Sequence, residues 1–540
     1  MSDSNLEYNS EGQKDQELFA NFRESNVQTQ NKKFYLIIVI ILILLISLIL
    51  IIFLIIFFEK EKNSEIINEL SLIYQISNTY SKIKLFDTSV SNLTKSIISM
   101  SINDYNSNID SSYKFNKTGL YSIKIKLKND FNSLALLFKN CDNLIEVDFS
   151  KFNFEKINNI SYLFFGCSSL LNVTLPKSPN TNEIKDISFL FHSCSSLKSI
   201  DLSKVDTSSV IYMDYMFSHC SALTEININN FDTSNVISME GLFEFCSSLS
   251  NINLNLNTYK VKSMAKLFNG CNSLTSIEIV NFNTQNSIDL SFMFNSCYKL
   301  KNINLVNFNT SKVEYMNQMF RDCHSLISLD LNNFNTNNLK DIYQMFSGCT
   351  SLQYLDIDNF NTSQIINMYN LFFNCTSLKN ININNFDTSN VITMSGMFSH
   401  CNSLISLNIS NFNFQKIVYF DNMFNNCTSL KSVIFNNNLE RKNLFRLSYM
   451  DYMFKSCKNL ETVDLGLLVI DNVININGIF EDCSLLSYID FSNFNSSNIE
   501  YKVNSFKGIN NEGVFIFNSS KLEGLILNDL PENWSKIDIK

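Results

Sequence analysis

Fourteen cysteines stand at positions 141, 167, 194, 220, 246, 271, 297, 323, 349, 375, 401, 427, 457 and 483, and ten of their thirteen gaps are 26 residues. A disulfide framework has no reason to be periodic, whereas a repeat protein does. Other columns keep the same period. Phe stands three residues before every cysteine, from Phe138 to Phe480, and Leu three after, from Leu144 to Leu486. The position six after is always Val, Ile or Leu, and the position eight after is Leu, Ile or Phe. The unit reads M-F-x-x-C-x-S-L-x-x-I-x-L-x-N-F-D-T-S-x-V-x-x-M. The usual inference from 540 residues, three or four separate domains, therefore gives way to one array.

The unit has a physical reading. In L-x-x-I-x-L the last two apolar residues alternate, which predicts a short strand with one face inward. One strand per 26 residues has no partner within its own repeat. It pairs with its equivalent in the next, which predicts a solenoid with a parallel sheet. N-F-D-T-S turns the chain, using side chains that bond nearby backbone. The run V-x-x-M-x-x-M-F-x-x-C returns along an opposite wall, and its spacing of three predicts irregular or 3₁₀ structure. With only 12 Gly and 3 Pro among 47 Phe and many β-branched residues, composition favours sheet over helix.

These residues carry a resemblance. F-x-x-C-x-x-L followed by L-D-L-x-x-F-D-T-S-x-V-x-x-M-x-x-M-F is similar to the BspA-like leucine-rich repeats, also known as a domain of unknown function in bacterial and protist surface proteins. It covers residues 120–508, about 70% of the chain. It implies a leucine-rich-repeat-type solenoid on a cell surface, used for adhesion or recognition, without a common active site. The pattern departs from ordinary leucine-rich repeats at one column. Phe231, Phe308, Phe334 and Phe386 stand where Asn is usual, and Asn230, Asn307, Asn333 and Asn385 stand one position earlier. The asparagine ladder of ordinary repeats is therefore not assumed.

Outside the array, residues 34–58 form 25 uncharged positions in which only Tyr35 and Ser47 are polar. A bilayer needs about 20, so the segment is expected to span a membrane as one helix. A soluble helix has no use for apolar residues all round, and no small-residue cleavage site follows. Arg23, Lys32 and Lys33 precede the segment and Lys60 and Lys62 follow it, which favours a cytoplasmic N-terminus and repeats outside the plasma membrane, a type II orientation. The expected layout is a disordered tail (1–33), the membrane helix (34–58), a stalk and N-terminal cap (59–119, followed by a capping strand at 121–128), the solenoid of about 14 units (120–508) and a C-terminal cap (509–540) holding Trp534, the only tryptophan. The period breaks three times, most at FNNNLERKNLFRL, where four added residues bring Arg441, Lys442 and Arg446.

The candidate chemistry is sparse. A thiol in one slot of every unit, between invariant Phe and Leu, reads as a small buried hydrophobe. His192, His219, His324 and His400 lie within two residues of cysteines but in three different columns, without zinc spacing. No metal, cofactor or catalytic centre is expected. The net charge of -9 argues against nucleic acid as a partner. The outward strand position, seven after cysteine, is Asp, Asn or Glu in 12 of 14 units. Its central run, Asp201, Asn227, Asn253, Glu278, Asn304, Asp330, Asp356, Asn382 and Asn408, is a candidate ligand-facing column, with Asp330 and Asp356 the place for an assisting cation. Tyr354 and Tyr488 add aromatic contacts. Candidate glycosylation acceptors are Asn92, Asn116, Asn309, Asn361, Asn408 and Asn495. The expected function is adhesion or recognition of a protein or glycan at the cell surface. The alternative is a membrane-tethered scaffold with the repeats in the cytosol.

Overall fold

The computed structural model describes residues 39–40, 67–89, 94–176, 180–228, 231–435, 446–466, 468–495, 497–522 and 524–539. The tail, most of the expected membrane helix, Asn92, Arg441 and Lys442 lie outside them. Of the apolar segment only Val39–Ile40 is described, as a two-residue strand antiparallel to Val205–Asp206. No described helix is long and apolar enough to cross a membrane.

Two units are distinguished. One comprises Met1–Leu190, Ser199–Ile211 and Ile226–Asn235, and the other Phe191–Lys198, Tyr212–Glu225 and Val236–Lys540. The first begins with an antiparallel sheet in which Ile67–Ile76 pairs with both Gly119–Lys128 and Leu144–Lys151. Gly119–Lys128 covers the alternating YSIKIKLK, and Ile123, Ile125 and Leu127 turn inward. Ile97–Ile102 adds to that strand and turns through Asn103 and Asp104, both at positive φ, into Tyr105–Ser107. Positive φ at both loop residues is the two-residue hairpin geometry that Asn and Asp tolerate. Leu144–Lys151 then pairs parallel with Asn172–Thr174, and solenoid pairing begins there.

The repeats form a β-solenoid of about 14 turns. In the second unit, parallel pairs join Asn251–Asn255 to Ser276–Val280, Ser328–Asp330 to Tyr354–Asp356, and Ser406–Asn408 to Ser432–Ile434. At the C-terminal end Thr462–Asp464, Tyr488–Asp490, Glu512–Phe517 and Asn533–Asp538 make a four-stranded parallel sheet. Trp534 is buried there and its indole Nε1 donates to the Asn510 carbonyl at 2.8 Å. Each three-residue strand of the solenoid has its middle residue inward, as Leu407 lies buried between exposed Ser406 and Asn408.

The core is a set of stacked rows. From Phe191 to Phe480 the rings of the second unit stack coil on coil, 5.2–6.0 Å apart and within 19° of parallel. The row survives the irregular spacings. Phe243 and Phe268 bracket the deleted residue at 5.7 Å, and Phe424 and Phe454 bracket the four-residue insertion at 5.3 Å. The ring spacing on either side of each length change therefore stays that of the regular coils.

The return wall differs from the 3₁₀ reading. Its i→i+3 bonds are present, as in Met397 N to Met394 O at 3.1 Å and Cys401 N to Phe398 O at 3.1 Å. Yet the third residue of each such turn has positive φ: Gly396 at 62° and His400 at 63°. Positive φ there, with negative φ at Ser395 and Ser399, defines type II turns, since a 3₁₀ helix keeps φ negative throughout. The pattern recurs in every coil, from Leu136 and Asn140 to Asn504 and Gly508. Alternate N–H groups meanwhile reach the next coil, as Phe398 N to Met423 O and His400 N to Asn425 O. A wall of paired turns thus satisfies its backbone in two directions.

Candidate recognition face

The residues seven after each cysteine, most of them in strands, form the candidate column. Of its nine residues eight are exposed, and Asp356 is half-buried. Most have a local duty first. The side-chain oxygens of Asp201, Asn304, Asp330, Asp356, Asn382 and Asn408 accept the backbone N–H two residues on, at 2.9–3.2 Å. This is an Asx turn, which ends the strand in the coils that form one, and it explains why the column prefers Asp and Asn. Asn253 and Glu278 lie mid-strand instead, in Asn251–Asn255 and Ser276–Val280, where the ladder runs two residues further. Asn227 is also exposed, at the end of Glu225–Asn227.

The parallel ladder breaks at several coils, and at one of these breaks a hollow is formed. Among the described residues, no ladder bond joins Tyr354–Asp356 to the segment 380–382. A hollow of about 520 Å³ opens at that interruption. It is lined by Tyr354, Asp356, Asp358, Asn380, Asn382 and Asn408, among others. Tyr354 is 64% exposed. Asn382 Nδ2 donates to Asp358 Oδ2 at 2.7 Å, tying two coils across its floor. Asp356, Asn382 and Asn408 were expected on this face. Asp358 and Asn380 were not, and no column statistic sets their coil apart from its neighbours. Parallel register places Asp330 opposite Asp356. Among the described residues, however, no group of three or more His, Cys, Asp or Glu side chains converges to hold a metal ion.

The cysteine row has a role that the sequence reading missed. All 14 thiols are free and buried. At least twelve of them donate to the carbonyl of the phenylalanine one coil back, at 2.9–3.3 Å. Phe372 O, for example, accepts from both Cys375 N and Cys401 Sγ. Burial pushes the thiols up, to about 12 at Cys141, Cys271, Cys427 and Cys483, so they remain protonated and poor nucleophiles. His219 and His400 fill the left-handed slot before cysteine, a conformation for which His, Asn and Asp are enriched.

Polar ladders explain the Asn and Thr content. Thr207, Thr258, Thr284, Thr310, Thr362 and Thr388 are buried, and each Oγ1 donates to a backbone carbonyl of the next coil at 2.8–3.0 Å. Asn333, Asn359, Asn385, Asn411 and Asn493 reach back to carbonyls of the preceding coil. An asparagine ladder therefore exists, one position before the usual site. Among the glycosylation candidates Asn116, Asn309 and Asn408 are exposed, whereas Asn361 and Asn495 are half-buried. Asn361 Nδ2 is engaged with Asn337 Oδ1 at 2.9 Å.

The rows and the outward face together define a repeat solenoid built to present one sheet face. The chain belongs to the family described as "Mycoplasma protein of unknown function, DUF285", whose model matches residues 132–254, 171–276, 250–355, 340–443 and 431–514. No curated protein matches it. Among solved structures it is similar to a chain of "Crystal structure of TLR13-ssRNA13 complex", with 15% identity, 73% of this chain and 70% of that one covered, and a TM-score of 0.18. A likeness of that size carries no argument about geometry or ligand.

Proposed function

We propose that the protein is a membrane-anchored, BspA-like surface protein that recognises a protein or glycan through its sheet face, without catalysis. The observation that carries this reading is the outward column, which presents polar side chains coil after coil and opens into the hollow at Tyr354. Extended faces of this kind are how solenoids bind. The buried, protonated thiols supply no reactive nucleophile. The uncharged segment 34–58 supports the anchor. The test is an array of extracellular proteins and glycans probed with the full chain. Reproducible capture that is lost when Asp330 and Asn408 are both changed to Lys supports recognition through this face. Capture unaffected by those changes, or none at all, refutes it.

One observation favours the cytosolic scaffold instead. Fourteen free thiols suit a reducing compartment, where disulfides are rare. Burial of every one of them is what lets the surface reading stand beside this fact, because a thiol inside a core is shielded from exchange.

A further inference from the structure

We propose that the hollow beside Tyr354 is a binding subsite for an uncharged carbohydrate, with the Tyr354 ring as its stacking platform. The inference rests on the recognition reading and narrows its ligand.

The ring is presented rather than packed. Tyr419 and Tyr449 stack on each other at 5.2 Å, and Tyr298 stacks on His324 at 5.0 Å. Tyr354 instead has the small Ser328 opposite it across the parallel pair. On its other side the ladder to the next coil is interrupted. The face of an aromatic ring carries negative potential, which suits the weakly positive C–H groups along one side of a pyranose.

The polar lining points to hydroxyls. Five amide side chains, Gln353, Asn380, Asn382, Asn384 and Asn408, surround two carboxylates, Asp356 and Asp358. An amide both donates and accepts, as a hydroxyl does, so adjacent amides match the neighbouring hydroxyls of a sugar. Among the described residues no Lys, Arg or His lines the hollow, so a sulfated or sialylated glycan would meet carboxylates without a counter-charge. A basic peptide is the rival occupant. Amides outnumber carboxylates here, and both carboxylates already accept bonds, Asp356 Oδ1 from Asp358 N and Asp358 Oδ2 from Asn382 Nδ2. A volume of about 520 Å³ is of the order of a small-ligand pocket and suits a short stretch of a longer chain of sugars.

The test uses the full chain, kept free of glycoside detergents. The probes are maltoheptaose, cellohexaose, mannohexaose and chitohexaose, with a heparin hexasaccharide and pentalysine as charged probes. Binding is followed by saturation-transfer NMR and titration. At least one neutral oligosaccharide is expected to bind. Tyr354→Ala should weaken it about tenfold or more, and Tyr354→Phe should hold it within about threefold, since the ring is kept. Tyr501→Ala, at another exposed tyrosine, should leave it unchanged. Thermal midpoints check that the variants fold. The inference is overturned if every neutral oligosaccharide fails, if only heparin or pentalysine binds, or if binding ignores Tyr354→Ala. If the array yields a protein partner that the face variants abolish while all neutral sugars fail, this inference falls and the recognition reading stands.

Discussion

At the scale of single residues, the cysteine shows what a sequence column can and cannot say. Its burial was legible, because a slot between invariant Phe and Leu is a core slot. Its hydrogen bond was not, because the acceptor is the carbonyl of Phe372, which every residue type would provide. Cys401→Ala therefore removes a weak donor and opens a small cavity. Unfolding free energy should fall by about 1–2 kcal/mol in a denaturant titration, with ligand capture unchanged. Captured intact, the native protein should leave its thiols unreactive toward Ellman's reagent, with all 14 reacting in denaturant. A second residue gives a pH signature. His192 and His219 lie 5.3 Å apart, and burial, then the neighbouring imidazole, lowers His192 from 6.5 to about 4. A histidine lowered on folding favours the neutral form. Its contribution is whole above pH 6.5 and is lost as pH falls from 6.5 through 4. The denaturation midpoint should decline across that window, and less so in His192→Phe, since Phe165 and Phe373 already occupy the same column.

At the scale of elements, the strands were readable, and of the irregular or 3₁₀ return wall only the 3₁₀ reading fails. Apolar side chains at intervals of three fit a 3₁₀ helix, but they also fit consecutive type II turns. The discriminating signal was present in the residue before cysteine, where Asn, Gly, Ser, Asp and His dominate. Those types tolerate the left-handed conformation, and the structure finds φ of 55–77° throughout that column. The threonine of N-F-D-T was likewise read only as turn chemistry. It is buried because its hydroxyl bridges coils. Thr388 Oγ1 donates to Asn413 O at 3.0 Å and accepts from Asn413 N at 2.6 Å. Thr388→Val keeps the volume and strands both backbone groups. It should cost about 1–3 kcal/mol, measured by the same denaturant titration. An exposed serine such as Ser406→Ala should cost much less.

At the scale of the whole molecule, the repeat count and the outward column were legible because periodicity is a sequence property. The hollow was not, because the ladder breaks at several coils and the Tyr354 coil carries the same columns as the rest. The central functional claim is that this face is displayed outside the cell, which the 25-residue apolar segment supports and the free thiols oppose. The direct measurement is protease treatment of intact cells expressing the full chain with an epitope after Lys540. External protease is expected to remove the epitope and the repeats before lysis. Repeats that survive on intact cells, and are cut only after lysis, would contradict the surface account and leave the cytosolic scaffold.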